Sequence, residues 1–249
     1  MRIESTAQTR PRRRATDLAP VGFQPDGLSA QARGGHDVPS GVDPRVVTAF
    51  RPEHPDAQRA RDIRAELLAE WASDEGRRQR AVALVALDPG SQVGEIAANL
   101  AVSFAQIGRE TLLIDADLPA PAQHALLHVE NDRGLADALA GQGDIADLAR
   151  PTAVEGLTLL PAGHGDERLI DAMERRPLLD WVDGGMVRAD VVVAAITARG
   201  AQEAAGVLAR FDSVVPIVRR GRTRTRQLRA LLDAMEGRGI GLCGVVLSR

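Results

Sequence analysis

An α/β fold with a doubly wound, mostly parallel sheet flanked by helices is predicted by three observations. The apolar runs AVALVAL (81–87), DVVVAAI (190–196) and LCGVVL (242–247) lack polar alternation, as strands do when both sheet faces are covered. Helix-period segments separate these runs, and right-handed crossovers between parallel strands place such helices on both faces. Aromatic residues make up only 2% of the chain and tyrosine is absent, so the core must be built from Ala, Val, Leu and Ile. In such sheets the ligand crevice lies outside the carboxyl ends of the strands.

The elements follow in order. Residues 1–45 are rich in Pro, Gly, Ser, Arg and Asp without sustained periodicity, and read as a disordered tail or linker whose only charge cluster is Arg10, Arg12, Arg13 and Arg14. Order is expected from about Val46, giving one domain over 46–249. Ile63, Leu67, Leu68 and Trp71 share a face of an amphipathic helix over 56–71. Then come strand 81–87, helix 93–107, strand 110–115, helix 121–128, a short helix 134–140 and strand 157–160. The second half reads as helices within 166–183, strand 190–196, helix 200–209, strand 213–218, helix 223–236 and strand 241–247.

Composition removes several function classes. All 31 residues counted as Lys plus Arg are arginine, and the net charge of −3 lacks the basic excess of a general nucleic-acid binder. The single cysteine, Cys243, sits in an apolar run and cannot form an intrachain disulfide. No stretch approaches the roughly 20 apolar residues of a membrane span, and the basic amino terminus is followed by no apolar signal core. A cytoplasmic protein is expected, peripheral to the inner membrane only through a partner. His124, His128 and His164 form no ligand pattern with Cys or nearby acids.

Residues 82–101, VALVALDPGSQVGEIAANLA, have the outline of a strand, a phosphate loop and a helix. Such loops cradle phosphates with backbone N–H groups, reach them with a lysine ammonium and hold Mg²⁺ through a Ser or Thr hydroxyl. Lysine is unavailable anywhere in this chain. Glu95 adds a carboxylate near the helix start, where an anion would otherwise be attracted, and would oppose a nucleotide's phosphates. A second polar site lies at the strand end in LLIDADLPAP, where Asp115 and Asp117 fit either a residual Mg²⁺ site or a cap for the next helix. The run RRGRTRTRQLR at 219–229 fits a solvated loop and helix start or a contact with an acidic partner.

The stretch from Val46 to Leu247 resembles the bacterial tyrosine kinases (BY-kinases) of capsule and exopolysaccharide biosynthesis, relatives of the deviant-Walker ATPases MinD and ParA. The matching segments are IAANLAVSFAQIGRETLLIDADL (96–118), QHALLHVENDRGLADALAG (123–141), GLTLLPAG (156–163) and GVVLS (244–248). In that register the family's phosphate motif, P-G-E-G-K-S/T-T, falls on Pro89, Gly90, Ser91, Gln92, Val93, Gly94 and Glu95. Val93 then stands for the lysine, Gly94 for the magnesium hydroxyl, and Gln92 for a glycine. The resemblance assigns Asp115 and Asp117 to magnesium support and hydroxyl activation, with Pro119 replacing an arginine. It sets Ala195 in place of the aspartate that closes the third motif. The family's oligomerisation element, E-x-x-R-x-x-R, becomes Gln58, Arg61 and Arg64, which fit an interface or solvent equally.

Loss of the lysine, the hydroxyl and the third-motif aspartate would remove both the positioning and the charge neutralisation that phosphoryl transfer needs. The expectation is a non-catalytic, pseudokinase-like family member that regulates or scaffolds polysaccharide chain-length control and export. ATP and Mg²⁺ enter only as weak residual binding. The implied partners are a membrane-embedded polysaccharide co-polymerase, an active BY-kinase or further copies of this chain. An active ATP-dependent tyrosine kinase and a ParA- or MinD-like positioning protein are the alternatives. Phosphorylation of its own tyrosines is impossible, because the chain has none.

Overall fold

Alternate residues of β2 (Arg80–Ala86) serve two different cores. Ala81, Ala83 and Val85 enter one apolar layer, whereas Val82, Leu84 and Ala86 enter the other. The computed structural model describes residues 21–22, 40–72, 79–165, 169, 172–173, 177–184 and 188–248. The remaining strands are β1 (Val21–Gly22), β3 (Thr111–Asp115), β4 (Arg150–Pro151), β5 (Leu157–Leu160), β6 (Val191–Thr197), β7 (Ser213–Arg219) and β8 (Val246–Ser248). They form one eight-stranded sheet in the order β1-β8-β7-β2-β6-β3-β5-β4. Every pairing is parallel except β4 with β5.

Helices α1 (Pro55–Trp71) and α2 (Val93–Ala105) cover one face. At the start of α1, His54 accepts a hydrogen bond from the Asp56 N–H at 3.1 Å, and Pro55 supplies a preset first turn. Trp71 closes the helix by stacking on Phe104 with ring centroids 5.8 Å apart, while its indole N–H donates to Ser213 Oγ at 2.9 Å. The opposite face carries α4 (Leu135–Leu139), α5 (Ile145–Leu148), α6 (Leu178–Gly184), α7 (Ala201–Val207) and α8 (Thr225–Glu236), whose Leu135, Leu178, Ala204 and Leu231 are fully buried. Short α3 (Gln123–Leu126) follows β3.

Several boundaries differ from the sequence reading. Order reaches back beyond Val46: Val42 is buried and the Asp43 N–H donates to Leu126 O at 2.9 Å. Within the expected tail, Val21 and Gly22 pair with Val246 and Leu247, satisfying backbone groups on the outer edge of β8. Two residues carry too little pattern to announce a strand. The last strand is interrupted, with Leu242 bridging Val214 and regular pairing resuming only at Val246. The four-residue α5 and two-residue β4 have no counterpart in the periodicity. Of the helices expected within 166–183, α6 is described; residues 166–168, 170–171 and 174–176, like Arg10, Arg12, Arg13 and Arg14, lie outside the described residues.

Candidate functional site

Between β2 and α2 the chain turns through Asp88, Pro89, Gly90, Ser91 and Gln92 at the carboxyl edge of the sheet. Gly90 has φ +75°, a left-handed conformation natural to glycine. Val93 opens α2 and is buried in the apolar layer that also holds Ile96, Ala97 and Leu126. The next position is closed off. A side chain on Gly94 would start 3.1 Å from Ala122 Cβ and 3.2 Å from Gln123 Nε2, and that same amide donates to Gly94 O at 3.0 Å. A Ser or Thr there would press on residues 122 and 123, which would have to give by a few tenths of an ångström.

Glu95 faces Arg45 at 3.4 Å and Gln92 Nε2 at 3.4 Å. Asn99, part of the retained helix motif, holds the incoming chain: its Oδ1 accepts from Thr48 N and Oγ1 at 2.9 and 2.8 Å, and its Nδ2 donates to Arg45 O at 3.0 Å. Both polar side chains thus tie α2 to residues 45–48. The Glu95 carboxylate is an acceptor of hydrogen bonds, the wrong polarity to cradle a phosphate.

Asp115 is 1% exposed, and three backbone N–H groups point at it. Oδ2 accepts from Ala122 and Gln123, each at 2.9 Å, and Oδ1 from Asp117 at 3.3 Å. Burial nevertheless pushes its carboxyl up to about 7, against the pull of those N–H groups and with a smaller push from Asp117. Asp117 is likewise raised by burial, opposed by the Thr197 hydroxyl at 2.6 Å and the Ala120 N–H at 3.3 Å. Each carboxylate oxygen that could face a metal is already engaged, and the described residues contain no group of three or more His, Cys, Asp or Glu arranged to hold one. Asp115 acts as the anchor of the segment that packs against Gly94. Ala195 lies opposite Asp115 in the β3–β6 ladder, buried and without a polar atom in its side chain.

The folded chain brings one cation that the linear sequence hides. Arg219, at the end of β7, places a guanidinium nitrogen 3.4 Å from the position a Gly90 Cβ would occupy. Its backbone N–H donates to Thr223 Oγ1 at 2.8 Å, and the Thr223 hydroxyl in turn donates to Asp88. The β7–α8 turn is thus fastened to the β2–α2 loop. No arginine lies inside 88–95, but strand order supplies one from the end of β7. Only the adjacency of β2 and β7, read together with the arginine run, could have found it.

The three residues aligned with an oligomerisation element form contacts within the chain. Gln58 Nε2 donates to Asp62 at 2.8 Å, Arg61 donates to Gln58 Oε1 at 2.7 Å, and Arg64 donates to the Ser103 carbonyl on α2. Partial burial, and secondly the neighbouring Arg61 charge, lower the affinity of Arg64 for its proton.

Against known proteins, no protein-family model matches the chain. Its sequence is 30% identical over 164 residues to the tyrosine-protein kinase wzc of Salmonella typhi, covering 64% of this chain and 22% of that protein. It is 33% identical over 118 residues to the tyrosine-protein kinase YwqD of Bacillus subtilis, covering 47% and 48%. Its sequence is thus similar to those of bacterial tyrosine kinases. It spans between about a fifth and a half of the length of these BY-kinase relatives. Among solved structures, the chimerical protein CapA2B2 aligns with a TM-score of 0.69 at 24% identity, covering 82% of this chain and 88% of that one. The kinase domain of the Escherichia coli tyrosine kinase ETK gives 0.69 at 21%, covering 85% and 82%. MinD from Pyrococcus horikoshii, complexed with Mg-ADP, gives 0.57 at 21%, covering 68% and 70%. These likenesses establish a shared P-loop NTPase fold.

Proposed function

We propose that this BY-kinase relative is non-catalytic and regulates or scaffolds the chain-length control and export of a surface polysaccharide. The observation that carries the reading is the paired state of positions 93 and 94. Val93 is embedded in the core of a chain that has no lysine, and Gly94 is covered by Ala122 and Gln123. Phosphoryl transfer depends on charge neutralisation and in-line placement, and neither a lysine nor a hydroxyl stands at these two positions to supply them. The polysaccharide context comes from relatives, among them the succinoglycan biosynthesis transport protein ExoP of Rhizobium meliloti, 26% identical over 178 residues. A polysaccharide co-polymerase in the inner membrane is the partner proposed, with an active BY-kinase or further copies of this chain as other assembly members. No helix among the described residues is long and apolar enough to cross a membrane, so the proposed association runs through that partner.

Titration calorimetry with ATP and Mg²⁺, combined with transfer of labelled phosphate to a tyrosine-bearing partner, tests this reading. Neither binding at micromolar nucleotide nor transfer is expected; tight binding together with transfer abolished by Arg219→Ala would overturn it. That variant is chosen because one observation favours the active-kinase alternative. The Arg219 guanidinium lies beside Gly90, where it could stand in for the phosphate-loop lysine.

A further inference from the structure

We propose that the cleft between α7 and α8 is a docking site for an acidic segment of a partner protein, one apolar side chain of which seats in the cleft. The cavity measures about 300 Å³, and Leu87, Gly200, Ala201 and Ala230 give it an apolar floor between Arg199 and Arg226. That volume is at the small end for ligand pockets and suits one large side chain better than a cofactor. Gln227 also lines the cleft, and its Oε1 is taken by the Arg224 N–H at 3.0 Å.

Charge identifies the rest of the occupant. Residues 219–229 hold six arginines and no acid, in a chain whose net charge is −3. Arg220, Arg222, Arg226 and Arg229 are exposed or nearly so on the β7–α8 turn and the first turns of α8. None of the ion pairs formed among the described residues involves them. Arg199 shares its guanidinium with Glu203 at 3.9 Å and stays half exposed, so a carboxylate entering the cleft can join that pair. Planar guanidinium forks bind carboxylates well, and an unpaired row of them next to an apolar socket matches an acidic peptide carrying an apolar anchor.

Other occupants fit less well. The chain's own first 39 residues contain six arginines against four acids, so they repel this surface. A flat anionic bilayer cannot enter a concave cleft between two helices. A nucleic acid would want aromatic stacking platforms, and no aromatic residue lines the cleft. Apart from Leu87, the residues lining the cleft lie outside the β2–α2 loop, and the binding test needs no nucleotide.

The test uses the full chain and a short fluorescent peptide of glutamates around one central phenylalanine, without nucleotide, followed by anisotropy. Saturable binding is expected, weakened about tenfold by Arg226→Glu and comparably by Ala230→Trp, which fills the socket while leaving the charge unchanged. The same peptide with Phe→Ala should bind about tenfold more weakly to the unmodified protein, a comparison that needs no protein variant. Circular dichroism checks that each variant folds, and size measurement separates peptide binding from self-association. Absence of binding would overturn the proposal, as would equal affinity for the Phe→Ala peptide, indifference to a folded Ala230→Trp protein, or tighter binding of an oligonucleotide or a phosphatidylserine vesicle.

Discussion

Two regions at the carboxyl edge of one sheet have opposite character. Around Gly94 the edge is filled: Asp115 gathers the backbone of 117, 122 and 123, and that segment packs onto the start of α2. Around the β7–α8 turn it is open, with an apolar cleft and a row of guanidiniums that no nearby acid neutralises. The first region spends its polar groups internally, and the second presents its polar groups outward.

The contrast is most sharply broken at Asp115. Asp115→Asn places an amide N–H₂ against backbone donors, and chemical denaturation should show a loss of about 3 kcal/mol, the cost of leaving buried groups unpaired. Gly94→Thr comes next, since overfilling the contact with Ala122 and Gln123 should cost about 2 kcal/mol. Joined to Val93→Lys it should still give no ATP binding by calorimetry. The pH dependence of stability provides an independent check on the filled region. Because burial raises the Asp115 carboxyl from 3.8 to about 7, the native state holds that proton where the unfolded chain releases it. Stability from this residue therefore falls as pH rises through that window and is level above it, a slope that Asp115→Asn should remove.

Smaller effects are expected on the open side. Thr223→Val cuts the tie between the two turns, and a loss of about 1 kcal/mol is expected in the same denaturation assay. Arg226→Glu should change stability by no more than about 0.5 kcal/mol, as surface substitutions do. Its effect should appear in peptide binding alone.

Legibility in the sequence followed the strength of the local pattern. β2, β6 and β7 announced themselves as continuous apolar runs, and α1 through the spacing of Ile63, Leu67 and Trp71. Val21–Gly22 and Arg150–Pro151 could not, because a two-residue strand exists only through its neighbour's unpaired backbone. Residue identity revealed that the phosphate loop lacks lysine. It could not reveal that Asp115 is turned to backbone N–H groups, since the alternatives of metal ligand and helix cap use the same side chain. Arg219 was invisible as a neighbour of Gly90 because strand order, and not sequence distance, brings β7 beside β2. The arginine run was plain in the sequence, but the cleft that gives it meaning arises from how α7 and α8 pack together.

The carboxylate of Asp115 makes two loops one unit. It holds the backbone of residues 122 and 123, and Gln123 in turn bonds to Gly94 O, so a side chain added at position 94 would be felt at the end of β3.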